Sequence, residues 1–354
     1  MSEAAKPRVG IIITAAGRKR YFFPEDVARL EQVADVVWLE PDGPDRIFGA
    51  PADDPELAAR TKEFVVDLDA LVVSYGSVRI TDDIMAATPK LRMIGDTHGD
   101  RFAARVDVAA AKRRGIIVSD TTNGSSDPVA EWALALAMIG LRNAGALFRR
   151  LIDGELLWPD RTVFLEDPGY LRGELTGKTV GLIAVGNVGR RLLELLAPFQ
   201  VKVLAADPGA PDVLANIYDL ELTGLDDVLS RSDVVISLVP LTTATTGLIG
   251  AREIGLLKPG AVFVNVSRGP VVDTEALIAR LETGDIIACL DVVEPEPLAV
   301  DSPLRRLPNV FLSPHIAGVT DAAEPRFFRY MVDEVARVLA GSRPRFRLVP
   351  REAE

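Results

Sequence analysis

The sequence predicts an α/β chain built from two doubly wound parallel-sheet domains. Three observations carry that prediction. Short apolar runs of strand length alternate with helix-length segments along most of the chain, the pattern of strands buried on both faces. The length of 354 residues exceeds the roughly 250–300 residues one core usually holds, so two domains are expected. Hydrophobic residues make up 48% of the chain, ample for two sizeable cores.

Taken in order, Val9–Ile13 is apolar and β-branched and reads as the first buried strand. Pro24–Val33 reads as a helix with proline in its first turn. Val36–Leu39, Ala70–Ser74, Leu91–Ile94 and Ile116–Val118 supply further short strands, with helical stretches between them at Asp54–Lys62 and Ala103–Arg114. Gly115 is a natural stop for the last of these helices. Five parallel strands are thus expected in the first domain. Asp127–Arg150 reads as one long helix, with Asp127 as N-cap, Pro128 in the first turn and Glu131 near the positive end. Ile152–Thr176 is irregular and reads as an extended arm, with Trp158, Phe164 and Tyr170 as candidate anchors.

A second series follows. Its strands are expected at Thr179–Ala184, Val201–Ala206, Val234–Leu238, Val262–Val266, Ile286–Asp291 and Val310–Leu312. Ala322–Ala340 reads as a final helix that returns to the first domain.

The bulk properties narrow the function. The net charge of −11 argues against nucleic-acid binding, which needs a basic footprint. A lone cysteine, Cys289, cannot form an internal disulfide and sits in an apolar run, so core packing in a reducing compartment is expected. There is no signal-peptide-like start and no run of about 20 apolar residues, so a cytoplasmic protein is expected. Two separated histidines and one apolar cysteine give no ligand-spaced metal cluster.

The strand Thr179–Ala184 runs into Val185-Gly186-Asn187-Val188-Gly189 and then a helix from Arg190 to Leu196. This is the strand-to-helix glycine turn of dinucleotide-binding folds, with Ala184 in the place of the first glycine. Gly186 would let backbone approach a pyrophosphate, and Gly189 would let the helix pack on the strand. Asp207 ends the next strand, 18 residues past Gly189. There it would bind ribose hydroxyls and repel a 2′-phosphate, which predicts NAD over NADP. The alternative for Asp207 is a cap before Pro208.

Three further residues stand just past strand ends: Arg268, Glu296 and His315. Ligands of open α/β sheets bind outside the carboxyl ends of the strands. A histidine can give and take a proton near neutral pH. A carboxylate on its other ring nitrogen would fix the tautomer. An arginine fork suits a substrate carboxylate. The alternatives are a surface ion pair for Arg268 and a solvated loop carboxylate for Glu296.

With these residues in view, the chain resembles the D-isomer-specific 2-hydroxyacid dehydrogenase family. The carrying segments are Arg114–Val118, Val129–Glu131, Asp233-Val-Val with Pro240-Leu-Thr242, Leu257–Gly260, Asn265–Asp273, Leu290–Pro297 and Ser313–Gly318. The resemblance implies a Rossmann NAD-binding domain, residues 126–318, inserted in a flavodoxin-like substrate domain, residues 1–125 and 319–354. It implies that Arg268, Glu296 and His315 are the catalytic residues. It places Gly186, Asn187, Val188, Gly189, Asp207, Val239, Pro240, Thr245, Val266, Ser267, Arg268, Asp291, His315 and Gly318 at the cofactor. It assigns the substrate to Tyr75, Gly76 and Ser77 together with Arg268, and His98 is a further candidate there, or else a histidine of a surface loop. Arg18, Lys19 and Arg20 are candidates for a phosphate or a second carboxylate, or else a solvated cluster.

Departures from the family pattern are Ala184, Leu238 in place of a frequent histidine, and the segments Gly17–Phe23 and Gly95–Asp107. The expected activity is NAD-dependent hydride transfer between a D-2-hydroxy acid and its 2-keto acid. The alternative from another class is a non-enzymatic NAD(H)-sensing scaffold of the same fold. A homodimer formed through the cofactor domains and the arm is expected. No additional regulatory domain is expected after the last helix.

Overall fold

The computed structural model describes residues 5–42, 51–98, 105–157 and 173–348, together with residues 162, 166, 167, 169 and 171. The chain divides into two compact units, residues 1–125 with 321–354, and residues 126–320.

The first unit contains a six-stranded sheet in the order β13-β5-β4-β3-β1-β2. Its strands are β1 (Arg8–Ile12), β2 (Asp35–Leu39), β3 (Ala70–Val73), β4 (Met93–Asp96), β5 (Ile117–Asp120) and β13 (Arg347–Leu348). The first five are parallel and follow the flavodoxin-like order 2-1-3-4-5. β13 adds an antiparallel edge on β5 that the sequence did not announce. Adjacent residues of each strand serve opposite faces. Ile12, Leu71 and Val73 join one core with Leu57, Ile84, Ala110 and Ala111. Val9, Ile11, Ala70 and Val72 join the other with Leu30, Phe328, Met331 and Val335. That alternation makes the sheet doubly wound, because each face must be covered by helices. The helix Glu324–Leu339 covers the second face, so the chain's end does return to its first unit.

The second unit carries seven parallel strands: β6 (Thr179–Ile183), β7 (Lys202–Ala206), β8 (Leu220–Leu222), β9 (Val234–Ser237), β10 (Val262–Asn265), β11 (Ile287–Leu290) and β12 (Val310–Leu312). Their order, β12-β11-β10-β9-β6-β7-β8, is that of a Rossmann sheet extended by one strand, with the switch point between β6 and β9. Val180, Leu182, Ile236, Val264 and Cys289 pack under the helices Ser126–Leu141 and Asn187–Leu196. Val235, Phe263, Ala288 and Leu290 pack on the opposite side with Val228, Ile254 and Leu277. Each fully buried aliphatic side chain contributes roughly 1.5–3 kcal/mol. Cys289 is buried, and burial pushes its thiol up to about 12.

Four further details depart from expectation. The long helix Asp127–Arg150 is two helices, Ser126–Leu141 and Ala144–Ile152. Asn143 breaks it by adopting φ 48°, a conformation asparagine tolerates better than most residues. β8 was not expected, and neither was a helix at Ala15–Tyr21, which Thr14 caps by accepting from the Gly17 amide. The expected helix Ala103–Arg114 begins at Val108, with Asp107 as its N-cap. The anchors proposed for the arm, Trp158, Phe164 and Tyr170, lie outside the described residues.

Candidate active site

In the second unit, the singled-out residues gather at the carboxyl ends of adjacent strands. Arg268 follows β10, Glu296 follows β11 and His315 follows β12. The structure joins two of them directly: Nδ1 of His315 lies 2.7 Å from Oε1 of Glu296. Both remain partly exposed, His315 at 17% and Glu296 at 40% of the side chain, so the pair is reachable by solutes.

The turn bearing His315 is held by a residue expected at the cofactor. Asp291 is 2% exposed. Its Oδ1 accepts from Ser313 Oγ at 2.6 Å and the Ile316 amide at 3.0 Å, and its Oδ2 accepts from the Ala317 amide at 3.0 Å. Its carbonyl accepts from the His315 amide at 2.9 Å. Trp132 adds a bond from Nε1 to Ser313 Oγ at 3.1 Å. Within this clamp His315 takes φ 54°, an uncommon left-handed conformation that persists where surroundings enforce it.

Arg268 is positioned by a second network. Asn265 Oδ1 accepts from the Ser267 amide and hydroxyl at 3.1 and 2.7 Å, Asn265 Nδ2 donates to the Arg268 carbonyl, and Ser237 and Ser267 hydroxyls lie 3.0 Å apart. Gly269 then permits close packing on the Glu296 loop, since a Cβ there would meet the Val293 carbonyl oxygen at 2.0 Å. Arg268 Nη1 donates to the Ser267 carbonyl at 2.7 Å. Among the described residues Arg268 enters no salt bridge, which leaves its charge available to a ligand.

The glycine turn lies at the switch point. Gly186 is the exposed N-cap of helix Asn187–Leu196 and offers no side-chain cap, so the first amides of that helix are open to an anion. Gly189 is buried, and a Cβ there would come within 3.0 Å of the Ala184 carbonyl oxygen. Asp207 Oδ2 accepts from the Val185 amide at 2.8 Å and Oδ1 from the Gly209 amide at 2.9 Å. Asp207 therefore fixes the turn from the end of β7 and still has lone pairs for a ribose. Val239 and Val266 are buried, and Thr245 Oγ1 donates to the Pro240 carbonyl. This arrangement fits an NAD molecule: amides at the pyrophosphate position and an acid at the ribose position.

Ala184 adopts φ 77°, the conformation glycine supplies most readily. A Cβ in that region costs about 1–2 kcal/mol, partly offset by the lower unfolded-state freedom of alanine. Ala184→Gly is therefore expected to raise stability by about 0.5–1 kcal/mol and to tighten NADH binding. Urea denaturation and a fluorescence titration check both; a loss of stability would mean that the methyl group packs usefully.

In the first unit, Ser74-Tyr75-Gly76-Ser77 follows β3 beside the β1–β3 switch point, with Gly76 at φ 82°. The Tyr75 and Gly76 amides donate to no acceptor among the described residues. His98 packs among rings after β4 rather than on an open loop surface. Its burial, aided by the charge of Arg105, pushes the imidazole down from 6.5 to about 3. The unfolded chain thus takes up a proton near pH 6.5 that the folded unit refuses. Stability from this group is complete above that pH and is lost as pH falls toward the folded value. Between about pH 7 and about pH 5 the loss is at most about 2 kcal/mol. His98→Phe is expected to remove this component from urea unfolding curves; equal acid slopes in both proteins would show that His98 is charged when folded. Arg18 and Arg20, candidates for an anion, are instead paired with Glu40 and Glu324.

Among the described residues no cluster of three or more His, Cys, Asp or Glu could hold a metal ion, and no helix is long and apolar enough to cross a membrane.

Comparison with known proteins gives these arrangements a family. Residues 134–317 match the model of the D-isomer specific 2-hydroxyacid dehydrogenase, NAD binding domain. A glyoxylate reductase of Thermofilum pendens is 37% identical over 280 residues, covering 78% of this chain and 80% of that protein. A D-3-phosphoglycerate dehydrogenase of Mycobacterium bovis is 33% identical over 319 residues, covering 90% of this chain; the match spans 55% of that longer protein. The structure of Rhodotorula graminis D-mandelate dehydrogenase superposes with a TM-score of 0.80 at 22% identity, covering 98% of this chain and 99% of that one, a likeness of fold. The chain belongs to the D-isomer-specific 2-hydroxyacid dehydrogenase family and is an NAD-dependent oxidoreductase of that class.

Proposed function

We propose that the enzyme interconverts a D-2-hydroxy acid and its 2-keto acid, with His315 as proton donor and acceptor, Glu296 as its partner and Arg268 as the carboxylate-binding cation. The observation that carries this reading is the 2.7 Å contact between His315 Nδ1 and Glu296. Bound NAD supplies or accepts the hydride. In the reducing direction, the proton needed at the substrate's carbonyl oxygen comes from Nε2 of His315. In the oxidising direction, Nε2 takes it back. Glu296 holds Nδ1, so the proton is exchanged at the other nitrogen. The Arg268 fork binds the carboxylate and polarises the adjacent carbonyl.

The remaining assignments belong to the same proposal. Gly186, Asn187, Val188 and Gly189 hold the pyrophosphate and Asp207 the ribose. Val239, Pro240, Thr245, Val266, Ser267, Asp291 and Gly318 line the rest of the cofactor site. The open amides of Tyr75 and Gly76, with Ser77, bind the substrate carboxylate. Residues 126–318 act as the NAD-binding domain, and 1–125 with 319–354 as the substrate-binding domain. A cytoplasmic setting suits the lone buried Cys289.

The test is NADH consumption by purified protein against a panel of 2-keto acids, with NADPH in parallel. Oxidation of NADH by at least one acid, and slower oxidation of NADPH, is expected. NADH binding without reduction of any acid would favour an NAD(H)-sensing role.

We also propose a homodimer. Phe148, Leu151 and Ile152 lie on helix Ala144–Ile152 at spacings that share one face. They are 62%, 59% and 63% exposed, and Leu156 just beyond is 79% exposed. So much apolar surface in one place marks a contact site, and a second copy of the chain is its proposed occupant. Light scattering is expected to give a dimer that Leu151→Glu dissociates; a monomeric wild type at micromolar concentration would end the proposal.

A further inference from the structure

The two segments that depart from the family pattern meet in space. Tyr21 closes the helix Ala15–Tyr21, and His98 follows β4. Tyr75, in the turn after β3, packs against both. Tyr75 stacks on His98 with ring centroids 4.4 Å apart. Tyr21 lies 4.7 Å from His98 and 5.3 Å from Tyr75, and Phe327 of the last helix lies 4.8 Å from His98.

The cluster is not a fully satisfied core. His98 Nδ1 meets Ser74 Oγ at 3.0 Å and Thr97 Oγ1 at 2.7 Å, but its Nε2 is buried with no hydrogen-bond partner. Ser77 Oγ is buried and unpartnered in the same way. Both atoms belong to segments at the carboxyl ends of β3 and β4, where this fold class binds ligands. Buried polar atoms usually have partners, so an orphan past the end of each of two neighbouring strands marks a place for a ligand.

Among the described residues, three cations near the rings already have partners. Arg18 pairs with Glu40 and lies over the Trp38 ring at 3.8 Å. Arg20 pairs with Glu324. Arg105 reaches Asp96 and donates to the His98 carbonyl at 2.9 Å. Lys19 and Arg79 are exposed, and among the described residues neither has a ring contact. A phosphate here would have to strip a carboxylate from one of these guanidinium groups, or lie unpaired against aromatic faces. An aromatic group would instead find the partly exposed rings of His98 and Phe327, backed by the buried Tyr21 and Tyr75.

We infer that the Tyr21–Tyr75–His98–Phe327 cluster recognises the substrate's side group and selects 2-keto acids bearing an uncharged aromatic group over phosphorylated ones. The inference rests on the proposed carboxylate-binding role of the Tyr75–Ser77 turn, which places the substrate beside these rings. His98 stays neutral at physiological pH, so it presents an aromatic face and a neutral polar atom, not a cation.

The test compares phenylpyruvate, glyoxylate and 3-phosphohydroxypyruvate as substrates of the intact enzyme with NADH. Phenylpyruvate is expected to have the highest kcat/KM, exceeding 3-phosphohydroxypyruvate by about 10-fold or more. Tyr21→Ala is expected to lower the phenylpyruvate-to-glyoxylate ratio by about 10-fold, and Tyr21→Phe, which keeps the ring, to preserve it. A preference for 3-phosphohydroxypyruvate, or a ratio that Tyr21→Ala leaves unchanged, overturns the inference while the dehydrogenase reading stands. If no acid is reduced, the dehydrogenase reading fails, and calorimetric binding to the enzyme–NAD+ complex decides: tighter phenylpyruvate than 3-phosphohydroxypyruvate supports the cluster's role, and the reverse order or no binding overturns it.

Discussion

His315→Asn is expected to cut turnover by about 10²–10⁴-fold, the usual worth of a positioned acid–base group, while the NADH dissociation constant stays within about threefold. Asparagine is chosen because it tolerates the left-handed backbone that His315 adopts at φ 54°. The turn should therefore keep its path, and the loss reports the missing ring. Glu296→Gln is the companion. It retains a hydrogen-bond acceptor for Nδ1 but removes the carboxylate found 2.7 Å away, so a smaller loss of about 10-fold to 100-fold is expected. The double variant should lose little more than His315→Asn alone, because Glu296 acts through the ring. Stopped-flow and steady-state rates with one reducible keto acid decide this. A His315→Asn rate near that of wild type would remove His315 from the proton transfer.

The central strands could be read from the sequence because both of their faces are buried. Val234–Ser237 and Val262–Asn265 are nearly continuous apolar runs for that reason. The edges escaped. β8 is Leu220-Glu221-Leu222, and β13 is only Arg347-Leu348; a short edge strand buries too little to leave a pattern. The helix Ala15–Tyr21 was missed because Gly17, Arg18, Lys19 and Arg20 give it no apolar stripe. The break at Asn143 depends on one backbone conformation, which an unbroken apolar periodicity conceals. Among candidate site residues, Arg268, Glu296 and His315 stood out because each is a chemically distinctive residue just past a strand. Tyr75 and His98 were also singled out, but their contact with Tyr21 and Phe327 was not, since the four are remote in sequence and are joined only by the fold. The paired state of Arg18 and Arg20 was equally hidden, because Glu40 and Glu324 lie on other elements.

Asp291→Ala is expected to lower kcat by about 10²-fold and to destabilise the fold by about 3–5 kcal/mol. The stability loss follows from what the carboxylate serves. It accepts from Ser313 Oγ and from the amides of Ile316 and Ala317, and removing a buried acceptor leaves each donor with about 1–3 kcal/mol of unmet desolvation. The activity loss follows from the turn these bonds shape. Left-handed backbone at His315 is unfavourable on its own, so an unclamped turn relaxes and carries the imidazole away from its reacting position. Misplacement by about 1 Å is enough for a loss of that size. Asp291→Asn should fall between wild type and alanine. Its oxygen can still accept from Ser313 and Ile316, but its amide nitrogen cannot accept from Ala317. A residue that acted mainly as a cofactor ligand would behave differently. NADH affinity would fall first, and turnover at saturating NADH would recover. Measuring the NADH dissociation constant beside kcat separates the two roles: weakened NADH binding with normal saturated turnover assigns Asp291 to the cofactor, and intact binding with low kcat assigns it to the histidine turn.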